Sequence, residues 1–296
     1  MNAGKPMTTP TDTTPAVPST PVKQFEASIP ITEAGRRVID WLAENTPISR
    51  MQLKKAINAG AIVLQTGNRH QRMRRATILL PINSTLHVYY DADIVALVPP
   101  QPTLIKMEKG YSVWFKPAGL LSQGSKQGDH CSLMRIVELQ TGKHAFLVHR
   151  LDLEASGLML VAHTDITAAA LSSLFHTNTI YKCYRATVSG ELALPELPFK
   201  VDADVDRKKA VTWIDTVSYD AATHQTQVRV HIDTGRKHQI RRHLAGLGHP
   251  VIGDSRYGTG QASKEMMLQA YRLEFVCPIA DKKRSYSLPE PTIRSA

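Results

Sequence analysis

Residues 145–162, AFLVHRLDLEASGLMLVA, set a polar turn between two short apolar runs. Ala145 to Val148 and Leu158 to Ala162 are too short for helices, and both read as strands. The turn between them carries His149, Arg150, Asp152 and Glu154. A carboxylate on such a turn projects into a cleft, next to an arginine that keeps it ionised. Asp152 and Glu154 are neighbours, but on a strand-like turn they are expected to diverge.

The same pattern of short strands broken by Gly and Pro continues outward on both sides. Strands are expected at Ser112 to Phe115, Tyr181 to Val188, Ala210 to Ser218, Gln227 to Ile232 and Tyr271 to Val276. Helical periodicity fits Ser132 to Gln140, Ile166 to Phe175 and Lys237 to Ala245. Many strands with few helices between them indicate an α+β domain built on a mainly antiparallel sheet.

Upstream the pattern differs. The first 22 residues hold five prolines and six threonines and almost nothing apolar, which reads as a disordered tail. A helix is expected from Thr32, its cap, to Asn45, with Val38, Ile39 and Leu42 on one face. Ser49 caps a second helix that Gly60 stops. Strands follow near Ala61 to Leu64 and Leu86 to Tyr90. The expected division is a tail over 1–27, a small α/β module over 28–95, a proline-rich linker over 96–103, the larger domain over 104–290 and a short tail over 291–296.

Charge narrows the class of partner. The 296 residues carry 36 Lys and Arg against 26 Asp and Glu, a formal net charge of +10. Between Asn45 and Tyr90 there is no acid, while Arg50, Lys54, Lys55, Arg69, Arg72, Arg74 and Arg75 are all cationic. Arg50 and Lys54 are four apart on one helix and share a face, for which phosphates are the natural partners. No apolar run reaches the ~20 residues that span a bilayer, and the N-terminus lacks a signal-peptide core. Cys131, Cys183 and Cys277 are far apart, with no C-x-x-C pair, as in a reducing cytoplasm.

The module resembles the RNA-binding domain named after ribosomal protein S-four. Ser49-Arg50 and Ile57-Asn58-Ala59-Gly60 carry the likeness, and Leu64-Gln65-Thr66-Gly67 stands where Val-Asn-Gly is usual. The larger domain resembles the RluA-type pseudouridine synthases through four ordered motifs. These are Lys116-Pro117-Ala118-Gly119-Leu120-Leu121-Ser122, His149-Arg150-Leu151-Asp152, Tyr184-Arg185-Ala186-Thr187-Val188-Ser189-Gly190 and Thr234-Gly235-Arg236-Lys237-His238-Gln239-Ile240-Arg241. Ala155 replaces a usual Thr, and Gln269 stands in Leu268-Gln269-Ala270 where His is usual. The resemblance implies the pseudouridine synthase fold and isomerisation of uridine in structured RNA, ribosomal RNA of the large subunit ahead of transfer RNA.

It also implies site roles. Asp152 matches the essential aspartate, Arg241 the arginine that pairs with it, and Tyr184 the tyrosine that packs on the target base. Arg150 matches an arginine that fills the gap left by the flipped uridine. His149, Lys116, Arg236, Lys237, His238 and Arg242 are expected to bind substrate near the site, and Arg50, Lys54 and Lys55 on the module. The concentration of cations around residue 237 suggests an anion-binding helix start. An isomerisation without net redox change needs neither cofactor nor metal, and the enzyme is expected to be a cytoplasmic monomer. Two other readings differ in chemistry. One is a metal-dependent nuclease using His149, Asp152, His238 and His243; the other is an RNA-binding protein without catalysis.

Overall fold

The computed structural model describes residues 22–258 and 265–290. Two compact units divide the chain, Met1–Ala96 and Leu97–Ala296.

The first unit runs β1 (Gln24–Pro30), α1 (Val38–Asn45), α2 (Arg50–Ala59), β2 (Ile62–Thr66), β3 (Arg69–Arg72), β4 (Thr85–Asp91) and α3 (Ala92–Ala96). Its sheet has the order β1-β4-β2-β3, every pair antiparallel. Leu42, Leu53, Ile57, Ile62, Leu86 and Val88 form its core between sheet and helices. Ser49 caps α2: its Oγ accepts the Gln52 amide, and the Gln52 side chain takes the Ser49 N–H. Gly60 ends the helix at φ 77°, a conformation glycine adopts without strain.

Two expectations change here. Helix α1 begins at Val38, not near Thr32, and Arg37 precedes it without a side-chain cap. Residues 33–36 turn instead, and the amides of Val38 and Ile39 bond to Ile78 and Ala76 carbonyls. Residues 24–27, expected in the tail, belong to β1, which pairs along its whole length with β4 and buries Ile29. Residues 1–21 of the expected tail, and the expected C-terminal tail, 291–296, lie outside the described residues.

The second unit contains β5 (Thr103–Met107), β6 (Tyr111–Lys116), α4 (Leu133–Thr141), β7 (Phe146–Leu147), β8 (Ser156–Ala162), α5 (Asp165–His176), β9 (Tyr181–Ser189), β10 (Phe199–Asp202), β11 (Val211–Asp220), β12 (Gln225–Ile232), α6 (Gln239–Gly246), β13 (Leu268–Cys277) and β14 (Lys282–Ser287). They form a mixed sheet of order β10-β11-β12-β9-β13-β8-β6-β5, with β14 on β13 and β7 on β8. Only β13 and β8 run parallel among the described pairs, so the α+β, mainly antiparallel architecture holds.

That parallel contact fixes where the 149–155 turn enters the sheet. Gly157 has φ +130°, and a Cβ there would lie 2.3 Å from the Ala270 carbonyl oxygen. Only glycine allows β13 this close, and the approach brings Leu268 beside the turn.

Candidate active site

The 149–155 turn is held from behind by the 116–122 segment. Lys116 is fully buried, and its Nζ donates to the carbonyls of Pro117, Leu120 and Leu153 at 3.0, 2.8 and 3.4 Å. Gly119 N–H bonds Leu153 O at 2.8 Å. Ser122 Oγ both donates to Leu151 O at 2.8 Å and accepts from Leu151 N–H at 3.1 Å. Leu151 therefore turns inward and Asp152 is left facing out of the sheet into an open cleft. Tyr184 from β9, Ile232 from β12 and Leu268 from β13 give the cleft apolar walls, while Arg150, Arg236, His238 and Arg241 also line it.

Beneath Asp152 lies Arg241, whose side chain is 2% exposed. Its Nη1 is 3.2 Å from Asp152 Oδ2, and its Nη2 is 2.8 Å from Glu154 Oε2. Asp254 takes the guanidinium edge-on, with Nε–Oδ2 and Nη2–Oδ1 both 2.7 Å. One cation thus serves three carboxylates. Burial works against the charge of Arg241, but the bonds and charge of Asp254, then of Asp152 and Glu154, raise its pKa. Burial likewise disfavours the Asp254 carboxylate, yet Arg241 and the amides of Tyr257 and Arg256 hold it below the usual range. The Tyr257 ring lies 5.4 Å from the guanidinium carbon.

Asp152 keeps only the longest of these contacts, so one carboxylate oxygen faces the cleft. His238 Nε2 is 3.7 Å from Asp152 Oδ1, and its Nδ1 is 3.1 Å from the Tyr257 hydroxyl. Burial lowers the His238 pKa, opposed by Asp152 and reinforced by Arg241. Tyr184 has its pKa raised, first by burial and then by the Asp152 charge, so it stands as a neutral phenol. A flat, uncharged base can rest on such a ring while a carboxylate meets the sugar or the base edge. Among the described residues, no three His, Cys, Asp or Glu side chains are grouped to hold a metal ion.

Two residues expected to bind substrate, Lys116 and His149, face the interior instead. Lys116 faces the core because the β6 register turns it inward; three carbonyls replace water, and burial pushes its pKa down to about 8, against the pull of Asp152. His149 stacks on Phe175, with ring centres 4.2 Å apart, and its Nε2 accepts the Leu160 amide at 2.9 Å. Burial, with the nearby Lys182 charge, pushes its pKa down to about 3, so it is a neutral structural ring. Arg242 turns to Asp206 at 2.7 Å, and Arg50 to Asp40 at 2.7 Å. Lys237 is exposed beside the cleft, and Lys54 and Lys55 are exposed on α2. Helix α6 starts at Gln239, two residues later than expected, with His238 at φ 56° as its N-cap, so Arg236 and Lys237 lie just ahead of the helix start. Asp152 and Glu154 do not diverge: the chain bends after Asp152, and both carboxylates reach one guanidinium.

Asp254 and Tyr257 were not singled out from sequence, and Glu154 was expected to point away from Asp152. Asp254 closes the Gly246–Asp254 segment, but nothing in its spacing says that it folds back onto a residue thirteen positions earlier.

Residues 110–246 match the family model described as RNA pseudouridylate synthase. The chain is 32% identical over 193 residues to a Vibrio parahaemolyticus protein named dual-specificity RNA pseudouridine synthase RluA, covering 59% of this chain and 77% of that one. It is 28% identical over 316 residues to the ribosomal large subunit pseudouridine synthase D of Xanthomonas campestris, covering 90% of this chain and 89% of that one. Against the Zymomonas mobilis protein of the same name, 32% identical over 169 residues, the chain spans 52% of the relative's length. A solved structure titled human RNA pseudouridylate synthase domain containing 1 shares the fold, with TM-score 0.55 and 21% identity over 66% of this chain and 87% of that one.

Proposed function

The chain belongs to the RNA pseudouridylate synthase family, and from that membership we propose that it isomerises uridine in structured RNA, large-subunit ribosomal RNA ahead of transfer RNA. The N1–C1′ bond of a flipped-out uridine breaks, the base rotates, and a C5–C1′ bond forms. The proton leaves C5 and N1 regains one, so the reaction is redox-neutral and nothing is lost or gained.

The observation that carries this reading is a carboxylate, Asp152, that faces an open cleft walled by Tyr184 while Arg241 holds it from below. That carboxylate attacks the sugar or the base, or faces the sugar cation as the glycosidic bond opens. Tyr184 supports the base, and the exposed Arg150 at the cleft edge fills the space that the uridine vacates. The first unit serves as an RNA-binding module of the S-four type. Its support is the acid-free stretch from Asn45 to Tyr90 and the exposed Lys54 and Lys55. Ribosomal RNA is placed first because the match to the ribosomal enzyme of Xanthomonas campestris covers 90% of this chain, the first unit included. The working form is a cytoplasmic monomer.

Purified protein is given large-subunit ribosomal RNA and transfer RNA transcripts, with and without chelator, and pseudouridines are mapped site by site. The expected result is pseudouridine in the ribosomal transcript, formed equally with chelator present. Strand cleavage that chelator abolishes would support the nuclease reading, and binding without isomerisation the non-catalytic one.

A further inference from the structure

The segment between β10 and β11 is fastened, residue by residue, to the chain that forms the cleft wall. Ala203 O accepts His243 Nε2–H at 2.9 Å, and Asp206 Oδ1 takes Arg242 Nη1 at 2.7 Å. Lys209 O accepts Arg236 Nε at 3.0 Å, and Val211 O accepts Gln239 Nε2 at 2.9 Å. Arg236 and Gln239 both line the cleft, so the segment is anchored at its rim. Its tip closes as a two-residue turn, with Val205 N–H to Lys208 O at 3.0 Å and Lys208 N–H to Val205 O at 3.1 Å.

The turn has an unusual occupant. Asp206 and Arg207 have φ 54° and 60°, the geometry of a type I′ turn. Aspartate is common at the first position, but glycine is the low-strain residue at the second. Arginine there costs backbone energy that glycine would not, and such strain persists where the side chain is used. Arg207, Lys208 and Lys209 are all exposed, and Arg236 and Lys237 are exposed across the same rim. Asp206 is paired at the surface with Arg242, which leaves Asp204 as the remaining acid of the segment.

We propose that the 206–209 turn is an RNA-phosphate clamp: Arg207, Lys208 and Lys209, with Arg236 and Lys237, grip the strand that carries the target uridine just outside the cleft. This rests on the isomerase reading and adds to it the surface that holds the flanking backbone. A loop whose backbone is already held loses less freedom on binding than a free one, and phosphate contacts set register without reading sequence. Arg242 and Asp206 are the positioning pair that holds the turn against α6.

The test is the affinity for substrate RNA, measured against salt concentration, for the wild type, Arg207→Gly, and Arg207→Gly/Lys208→Ala/Lys209→Ala. Lys282→Ala/Lys283→Ala on β14 removes comparable exposed charge elsewhere. Glycine suits φ 60°, so Arg207→Gly keeps its melting temperature and loses only the cation. The slope of log affinity against log salt should flatten by about 0.7 for the single variant and about 2 for the triple, at ~0.7 per single-strand phosphate. Affinity of the triple variant at fixed salt should fall about tenfold or more, as for lost charge-assisted bonds, with the β14 variant unchanged. An unchanged slope in the triple variant, or an equal loss in the β14 variant, overturns the clamp while pseudouridine formation by the wild type stands. A wild type that forms no pseudouridine on any RNA overturns the isomerase reading instead.

Discussion

Replacing Arg241 with methionine strands Asp254. The Asp254 side chain is 0% exposed and would lose both of its 2.7 Å guanidinium bonds at once. Breaking a buried ion pair from one side costs about 3–5 kcal/mol. Asp254 still accepts the amides of Arg256 and Tyr257 at 2.9 Å, and Asp152 and Glu154 are 24% and 34% exposed, so water can reach them. The lower end, about 3 kcal/mol, is therefore the expectation. For a domain of this size that is a fall of about 6–12 °C in melting temperature, at ~2–4 °C per kcal/mol. The loss depends on pH. Without Arg241, burial pushes the Asp254 pKa up, so the folded variant keeps a proton that the unfolded chain has released near neutral pH. Its stability then drops as pH rises through that range and recovers on acidification, so the gap from wild type narrows from pH 7 towards pH 4. Arg241→Met/Asp254→Asn, which removes the stranded charge, should regain about half the loss, a coupling typical of paired groups. Thermal unfolding of the wild type, both single variants and the double variant, at two pH values, reads all of this. A loss below about 1 kcal/mol, the worth of a surface pair, or a gap that widens in acid, refutes the buried three-carboxylate arrangement.

Other parts of the structure make separate commitments. His149 is held neutral to about pH 3 in the fold but takes a proton near pH 6.5 when unfolded, so below 6.5 it costs stability at about 1.4 kcal/mol per pH unit. His149→Gln should flatten the acid side of the stability profile by that one-proton slope; an unaltered slope would show that the ring is protonated in the fold. A chain beginning at Ile31 lacks β1, bares the edge of β4 and loses buried Ile29, so its first unit should become sensitive to limited proteolysis. A chain beginning at Val22 keeps β1 and should resist protease like the full chain; equal resistance of both truncations would contradict the role of β1. Gly157→Ala should fail to yield soluble protein or lose much of its stability, because its Cβ meets the Ala270 backbone at 2.3 Å, and normal melting would mean that β13 does not approach there.

The strands that alternate or run apolar, such as β8, β9 and β12, were readable from their sequence because one or both faces are buried. Those that escaped lie at edges or carry little apolar surface. Strand β14, Lys-Lys-Arg-Ser-Tyr-Ser, shows no inward hydrophobic row, and β1 alternates over only seven residues that follow a proline-rich stretch. Three of the four motifs marked the site, since Asp152, Arg150, Tyr184, Arg236, His238 and Arg241 all line one cleft. The direction of a side chain was less legible than its presence. Lys116 and His149 sit in motif segments yet face inward, because strand register and a facing ring decide orientation, and neither is written in local spacing. Asp254 was hidden for a related reason: its role exists only once the chain after α6 folds back on Arg241.

Single-turnover conversion by Asp152→Asn tests the central claim most directly. Asparagine preserves size and most hydrogen bonding but removes the negative charge that the reaction needs at the sugar or the base. Excess purified variant is mixed with an RNA that the wild type modifies, and pseudouridine is followed with time, with binding and melting measured alongside. The account predicts a folded protein that binds the RNA and forms no detectable pseudouridine. A folded, RNA-binding Asp152→Asn enzyme that keeps even a tenth of the wild-type rate would contradict it.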